Sequence, residues 1–150
     1  TERQIEGISR GKWYLSNFDK PHDLSLVLNY QYNQRHTVTL NFTYGTGRPT
    51  TAPQGGYRTQ LGVPVPIYSE RNALRIPDYH RMDLAYTIGK DHRKNNKFKT
   101  SWTISLYNVY ARKNAFSVYF TQTPFTAAQA NRLAILGSVF PSVTFNFETL

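Results

Sequence analysis

The sequence predicts an all-β chain: an antiparallel transmembrane β-barrel, of which these 150 residues form a C-terminal fragment with five long strands and long extracellular loops. Three observations carry this reading. Apolar and polar residues alternate with period two in five segments, as in strands with one oily and one wet face. The wet face is built mainly of Ser, Thr and Asn. Short connections alternate with long ones, as periplasmic turns and extracellular loops do in outer-membrane barrels.

The opening residues 1–21, with Gly, Pro and mixed charge, read as a long loop. LSLVLNYQY at 24–32 then places Leu24, Leu26, Leu28, Tyr30 and Tyr32 on one face, and NQR at 33–35 makes a tight turn. In TVTLNFTYGTG at 37–47, Val38, Leu40, Phe42 and Tyr44 oppose Thr37, Thr39, Asn41 and Thr43. A Pro/Gly-rich stretch at 48–78 forms the next long loop. YHRMDLAYTIG at 79–89 sets Met82, Leu84, Tyr86 and Ile88 against Arg81, Asp83, Ala85 and Thr87, and KDHRKNN at 90–96 is a short basic turn. TSWTISLYNVY at 100–110 carries Trp102, Ile104 and Leu106 on its oily side, and Phe116, Val118 and Phe120 prolong it past a bulge as one long strand. TQTPFTAAQANRLAILG is a further loop, with a short helix over AAQANRLAIL as the alternative, and PSVTFNFE at 141–148 is the last strand.

A soluble β-sandwich would show the same alternation, but its outer face usually carries Lys and Glu against edge pairing. Weakly charged side chains suit a barrel lumen. Aromatics gather toward the strand ends, at Tyr30, Tyr32, Tyr44, Trp102, Phe145 and Phe147, as in the girdles of barrels at the lipid interfaces. With the short turns periplasmic, the five strands alternate in direction and leave the C-terminus periplasmic. Five strands cannot close a barrel, and open edges in lipid leave backbone groups unpaired, so a larger barrel is expected. The start TERQIEG, without an initiator Met or a signal-peptide pattern, agrees with that expectation.

Lys and Arg outnumber Asp and Glu by 18 to 9, yet the bases sit in one short run and in loops, so no basic stripe speaks for nucleic acid. No cysteine is present, which removes disulfide and thiolate chemistry, and the four histidines lack metal-ligand spacing. No G-x-S-x-G elbow or phosphate loop occurs, so an enzyme is not expected, nor any cofactor or resident metal. Asn41, Arg81 and Asp83 are the candidate lumen-facing residues. Arg81 and Asp83, two apart on one face, either meet a plug or substrate or pair with each other. In the 48–78 loop, Tyr57, Arg58, Tyr68 and Arg71, with Glu70 and Asn72, make the mixed polar and aromatic surface that suits contact with a carbohydrate or chelate, and equally any ordered loop.

Residues as well as pattern then resemble a family. FDKPHDLSLVLNYQYN at 18–33, TLNFTYGTGRPTT at 39–51, IPDYHRMDLAYTIG at 76–89, SLYNVYARKNAFSVYF at 105–120 and PSVTFNFE are similar to the closing strands of TonB-dependent outer-membrane receptors. That family commonly ends on its aromatic residue, whereas Glu148, Thr149 and Leu150 follow Phe147 here. The resemblance implies a Gram-negative outer-membrane barrel of about 22 strands with a plug upstream. It also implies uptake of a bulky nutrient such as an iron chelate, cobalamin or a glycan, a TonB energy-transducing complex as partner, and a surface lipoprotein as a possible second one. Two other readings stay open: a passive porin or adhesin, and a soluble β-sandwich module for carbohydrate.

Overall fold

The computed structural model describes residues 1–89, 98–121 and 129–149, which are all-β with antiparallel sheets. The chain divides into two units. The first is a five-stranded sheet of β1 (Asp23–Asn33), β2 (His36–Gly45), β3 (Tyr79–Gly89), β4 (Phe98–Tyr107) and β5 (Phe140–Thr149). Their spatial order, β5-β4-β3-β2-β1, is the sequence order reversed, so each strand bonds to its sequence neighbour. Among the described residues the sheet is open, with β1 and β5 at its edges.

The turn between β1 and β2 is fixed by one side chain. Asn33 Oδ1 accepts from the amides of Arg35 and His36, each at 2.9 Å, and so closes a turn with Gln34 and Arg35 between the strands. The predicted basic turn at 90–96 lies outside the described residues.

Register keeps the two faces apart. Trp102 stands opposite Ile88 on one side and Phe145 on the other, while Ile104 stands between Tyr86 and Val143. One residue along, Thr103 stands between Thr87 and Thr144, and Ser105 between Ala85 and Ser142. Rows of oily and wet residues therefore run across three strands, since a one-residue slip would have mixed them. Aromatic pairs reinforce the oily rows: Trp102 lies 4.7 Å from Phe145 and Phe98 lies 5.6 Å from Phe147, centroid to centroid. His36 stacks on Tyr86 with a 2.7 Å contact from Nδ1 to the phenol oxygen, and His80 meets Tyr110 likewise at 2.8 Å.

Among the described residues, none in the five strands is buried. Every residue of β1 is exposed, Leu24, Leu26 and Leu28 included, and Val143 and Phe147 of β5 keep 63% and 62% of their surface in the open. Among the described residues the buried apolar side chains are Tyr14, Pro49 and Ala52, all outside the sheet.

The second unit comprises Thr1–His22, Gly45–Tyr79 and Asn114–Ile135. It is built of short antiparallel pairs: Glu2–Arg3 with Tyr14–Leu15, Pro49–Thr50 with Leu74–Arg75, Pro53–Arg58 with Pro64–Tyr68, and Ala115–Thr121 with Gln129–Ala134. The long loops predicted at 1–21 and 48–78 are therefore laddered rather than irregular. Gly47 has no room for a side chain, because a Cβ there would lie 1.7 Å from the carbonyl oxygen of Ile76. Its amide donates to Asp78 Oδ1 at 2.9 Å, which holds the two strand ends together.

Two expectations need correction. The fourth strand does not run on through Phe116, Val118 and Phe120. It stops at Tyr107, where Asn108 and then Ala111 take φ of +55° and +53°, a left-handed backbone that breaks any ladder. Residues Ala115–Thr121 then pair in a separate hairpin with a register shift between Ala115 and Ser117. Nor is the stretch after Thr121 a plain loop: within its described residues Gln129–Ala134 is a strand of that hairpin, and not the helix weighed as the alternative. Pairing with 115–121 outweighed a helical preference too short to stand alone.

Candidate functional site

Two constellations stand out, one in each unit. On the wet face of the sheet, side chains satisfy one another across the strands. Thr39 donates to Asn29 at 2.7 Å, Thr87 meets Thr103 at 3.0 Å, Ser105 meets Ser142 at 2.7 Å and Asn146 donates to Ser101 at 3.4 Å. Asn41 lies on this face and is exposed. Arg81 and Asp83 also lie on it and pair with each other, Nε to Oδ2 at 3.0 Å. Arg81 further donates to the Tyr107 hydroxyl and sits 4.1 Å from the centre of its ring.

Asp83 has a second duty that the sequence reading missed. Its Oδ1 accepts the amide of Asn108 at 2.9 Å. Asn108, 1% exposed, donates its Nδ2 to the carbonyls of Arg112 and Leu136, both at 3.1 Å, and accepts the Arg112 amide at 3.0 Å. Arg81, Asp83, Tyr107 and Asn108 thus form one polar clasp where β4 ends. The signal was present in SLYNVY, since Asn is, after Gly, among the residues best suited to a left-handed corner.

In the second unit a groove of about 640 Å³ lies between residues 9–15 and 68–73. A tight turn at Ser9–Gly11 leads into Tyr14–Leu15, which pairs back on Glu2–Arg3. Asn72 locks the far wall. Buried and left-handed at φ +57°, it donates its side-chain amide to the Leu15 carbonyl at 2.6 Å and its backbone amide to the Thr51 hydroxyl at 3.0 Å. Arg71 lies over the Tyr14 ring, 5.1 Å from its centre. Of the four loop residues predicted to meet a ligand, Tyr68 and Arg71 line this groove; Tyr57 and Arg58 do not. The reading missed Trp13, Tyr14, Arg10 and Lys12, whose run RGKWY is the aromatic and basic signal that could have found them.

Beside the groove wall, Asp19 anchors the unit. Its carboxylate pairs with the Arg75 guanidinium. Arg75 also donates to the carbonyls of Asp19 at 3.1 Å and Gly47 at 3.0 Å. Among the described residues no group of three His, Asp or Glu side chains is placed to hold a metal. Comparison of the chain with protein-family models, with curated proteins and with solved structures returned no match.

Proposed function

We propose that this chain supplies closing strands of an outer-membrane β-barrel of the TonB-dependent type, which takes up a bulky nutrient such as an iron chelate, cobalamin or a glycan. The observation that carries the reading is an uncovered apolar sheet face set opposite a face of mutually hydrogen-bonded Ser, Thr and Asn. A soluble sandwich of 150 residues would bury its oily rows against a second layer, because burial of that face is its main source of stability. Lipid removes the need for a protein layer. Strands of 10 and 11 residues have the length for a tilted crossing of the hydrocarbon. The free edges of β1 and β5 await the neighbouring strands of the same barrel. The family resemblance adds the uptake role, the upstream plug and the energy-transducing partner; transport needs no chemistry on the substrate.

Topology gives the test. The chain has no cysteine, so single ones can be introduced at Gln60, in the connection between Pro53–Arg58 and Pro64–Tyr68, and at Gln34, in the turn between β1 and β2. In cells carrying the full-length protein, an impermeant external maleimide should label Gln60→Cys and leave Gln34→Cys unlabelled. Equal labelling of both would overturn the assignment.

A further inference from the structure

The groove between residues 9–15 and 68–73 has an unusual combination of lining groups. Trp13 and Tyr68 line it while 64% and 60% exposed, so ring faces stand open to a ligand. Arg10, Lys12 and Arg71 line it as well, and none of the three takes part in an ion pair among the described residues, although Glu2 and Glu70 border the same space. Arg71 is already oriented by stacking on Tyr14, so little of its freedom remains to be lost on binding. Asn72, whose side chain is engaged by Leu15 and Asn17, shapes the wall rather than offering a contact.

We propose that this groove binds a short acidic oligosaccharide, its sugar rings on Trp13 and Tyr68 and a carboxylate on Arg71. A pyranose has a face of polarised C–H groups, which the negative face of an aromatic ring attracts, and an edge of hydroxyls and carboxylate. Guanidinium receives a carboxylate through paired N–H donors. The groove's volume lies within the range of small-ligand clefts, about 300–1,000 Å³. Charge and shape together decide between ligand classes: three cations against two carboxylates favour an anion, and the exposed rings of Trp13 and Tyr68 favour pyranose faces, which a ferric citrate chelate lacks. The role as nutrient rests on the transporter reading, but the binding itself does not.

The experiment is calorimetric titration of the full-length protein in detergent with trigalacturonate, neutral maltotriose and ferric citrate. Trigalacturonate should bind, more weakly as salt rises, and the other two should not. Trp13→Ala and Arg71→Gln should each weaken binding about tenfold, the size expected for one stacking surface or one charged hydrogen bond. Trp13→Phe should retain most of it, and Arg132→Gln, outside the groove, should leave it unchanged. Absence of trigalacturonate binding, equal binding of maltotriose, ferric citrate bound in its place, or indifference to both groove variants would overturn the proposal. Heat-modifiable migration of each variant reports folding separately. A folded barrel that ignores trigalacturonate sinks the groove and spares the transporter, whereas a soluble, detergent-independent protein that binds it does the reverse.

Discussion

Asn108 shows how much a single residue can hold together in this chain. Its left-handed backbone ends β4, its amide hydrogen engages Asp83, and its side chain joins Arg112 to Leu136. Asn108→Ala leaves those carbonyls and the Arg112 amide without their partner and forces a Cβ-bearing residue with no side-chain compensation into the left-handed region. The expected cost is about 3 kcal/mol, from one to three per unsatisfied buried group. Asn108→Gly removes the side chain but not the backbone freedom, and should recover about 1 kcal/mol of that loss. Urea midpoints of the refolded full-length protein measure both. Asp19 holds the guanidinium of Arg75, so Asp19→Asn should open the 1–22 and 45–79 segments of the full-length protein to limited proteolysis.

At the scale of elements, β2 separates lipid from protein packing. Leu40→Arg directs a charge from the apolar face and should cost about 2–4 kcal/mol near mid-strand in a membrane. Asn41→Arg places the same charge on the wet face and should cost little. Leu40→Trp discriminates, because lipid accommodates a larger apolar group whereas a close-packed core loses roughly 1–3 kcal/mol to overpacking. Heat-modifiable migration on gels should be lost for Leu40→Arg and retained for Leu40→Trp. If Leu40→Trp were equally damaging, the face would be packed on protein. The five long strands were legible in the sequence because alternation is a local signal, and Asn33 in NQR marks its turn. The break after Tyr107 was only half legible: Asn108 signals a left-handed corner, but Ala111 has no intrinsic preference for positive φ and Phe116, Val118 and Phe120 keep the same parity as a continuing strand. The groove was half legible. Tyr68 and Arg71 come from a stretch that stands out by composition, but Trp13 and Tyr14 meet them only through pairings such as Asn72 with Leu15, 57 residues apart.

At the scale of the whole molecule, β4 carries one asymmetry: Trp102, Ile104 and Leu106 form an apolar face and Ser101, Thr103 and Ser105 a polar one, which the proposed barrel would turn to hydrocarbon and to water. Ile104 and Thr103 are neighbours on that strand, in rows with Tyr86 and Val143 and with Thr87 and Thr144 respectively. The same division runs through the register of β3 and β5, so it belongs to the sheet and not to one strand. The most direct measurement places a single cysteine at Ile104 or at Thr103 in the full-length protein, labels it with an environment-sensitive fluorophore and inserts the protein into lipid vesicles. Quenchers carried on lipid tails should extinguish the probe at Ile104→Cys and spare that at Thr103→Cys, while aqueous iodide should do the opposite. Quenching of both positions by iodide alone, or a failure of the protein to enter the vesicles, would contradict the account.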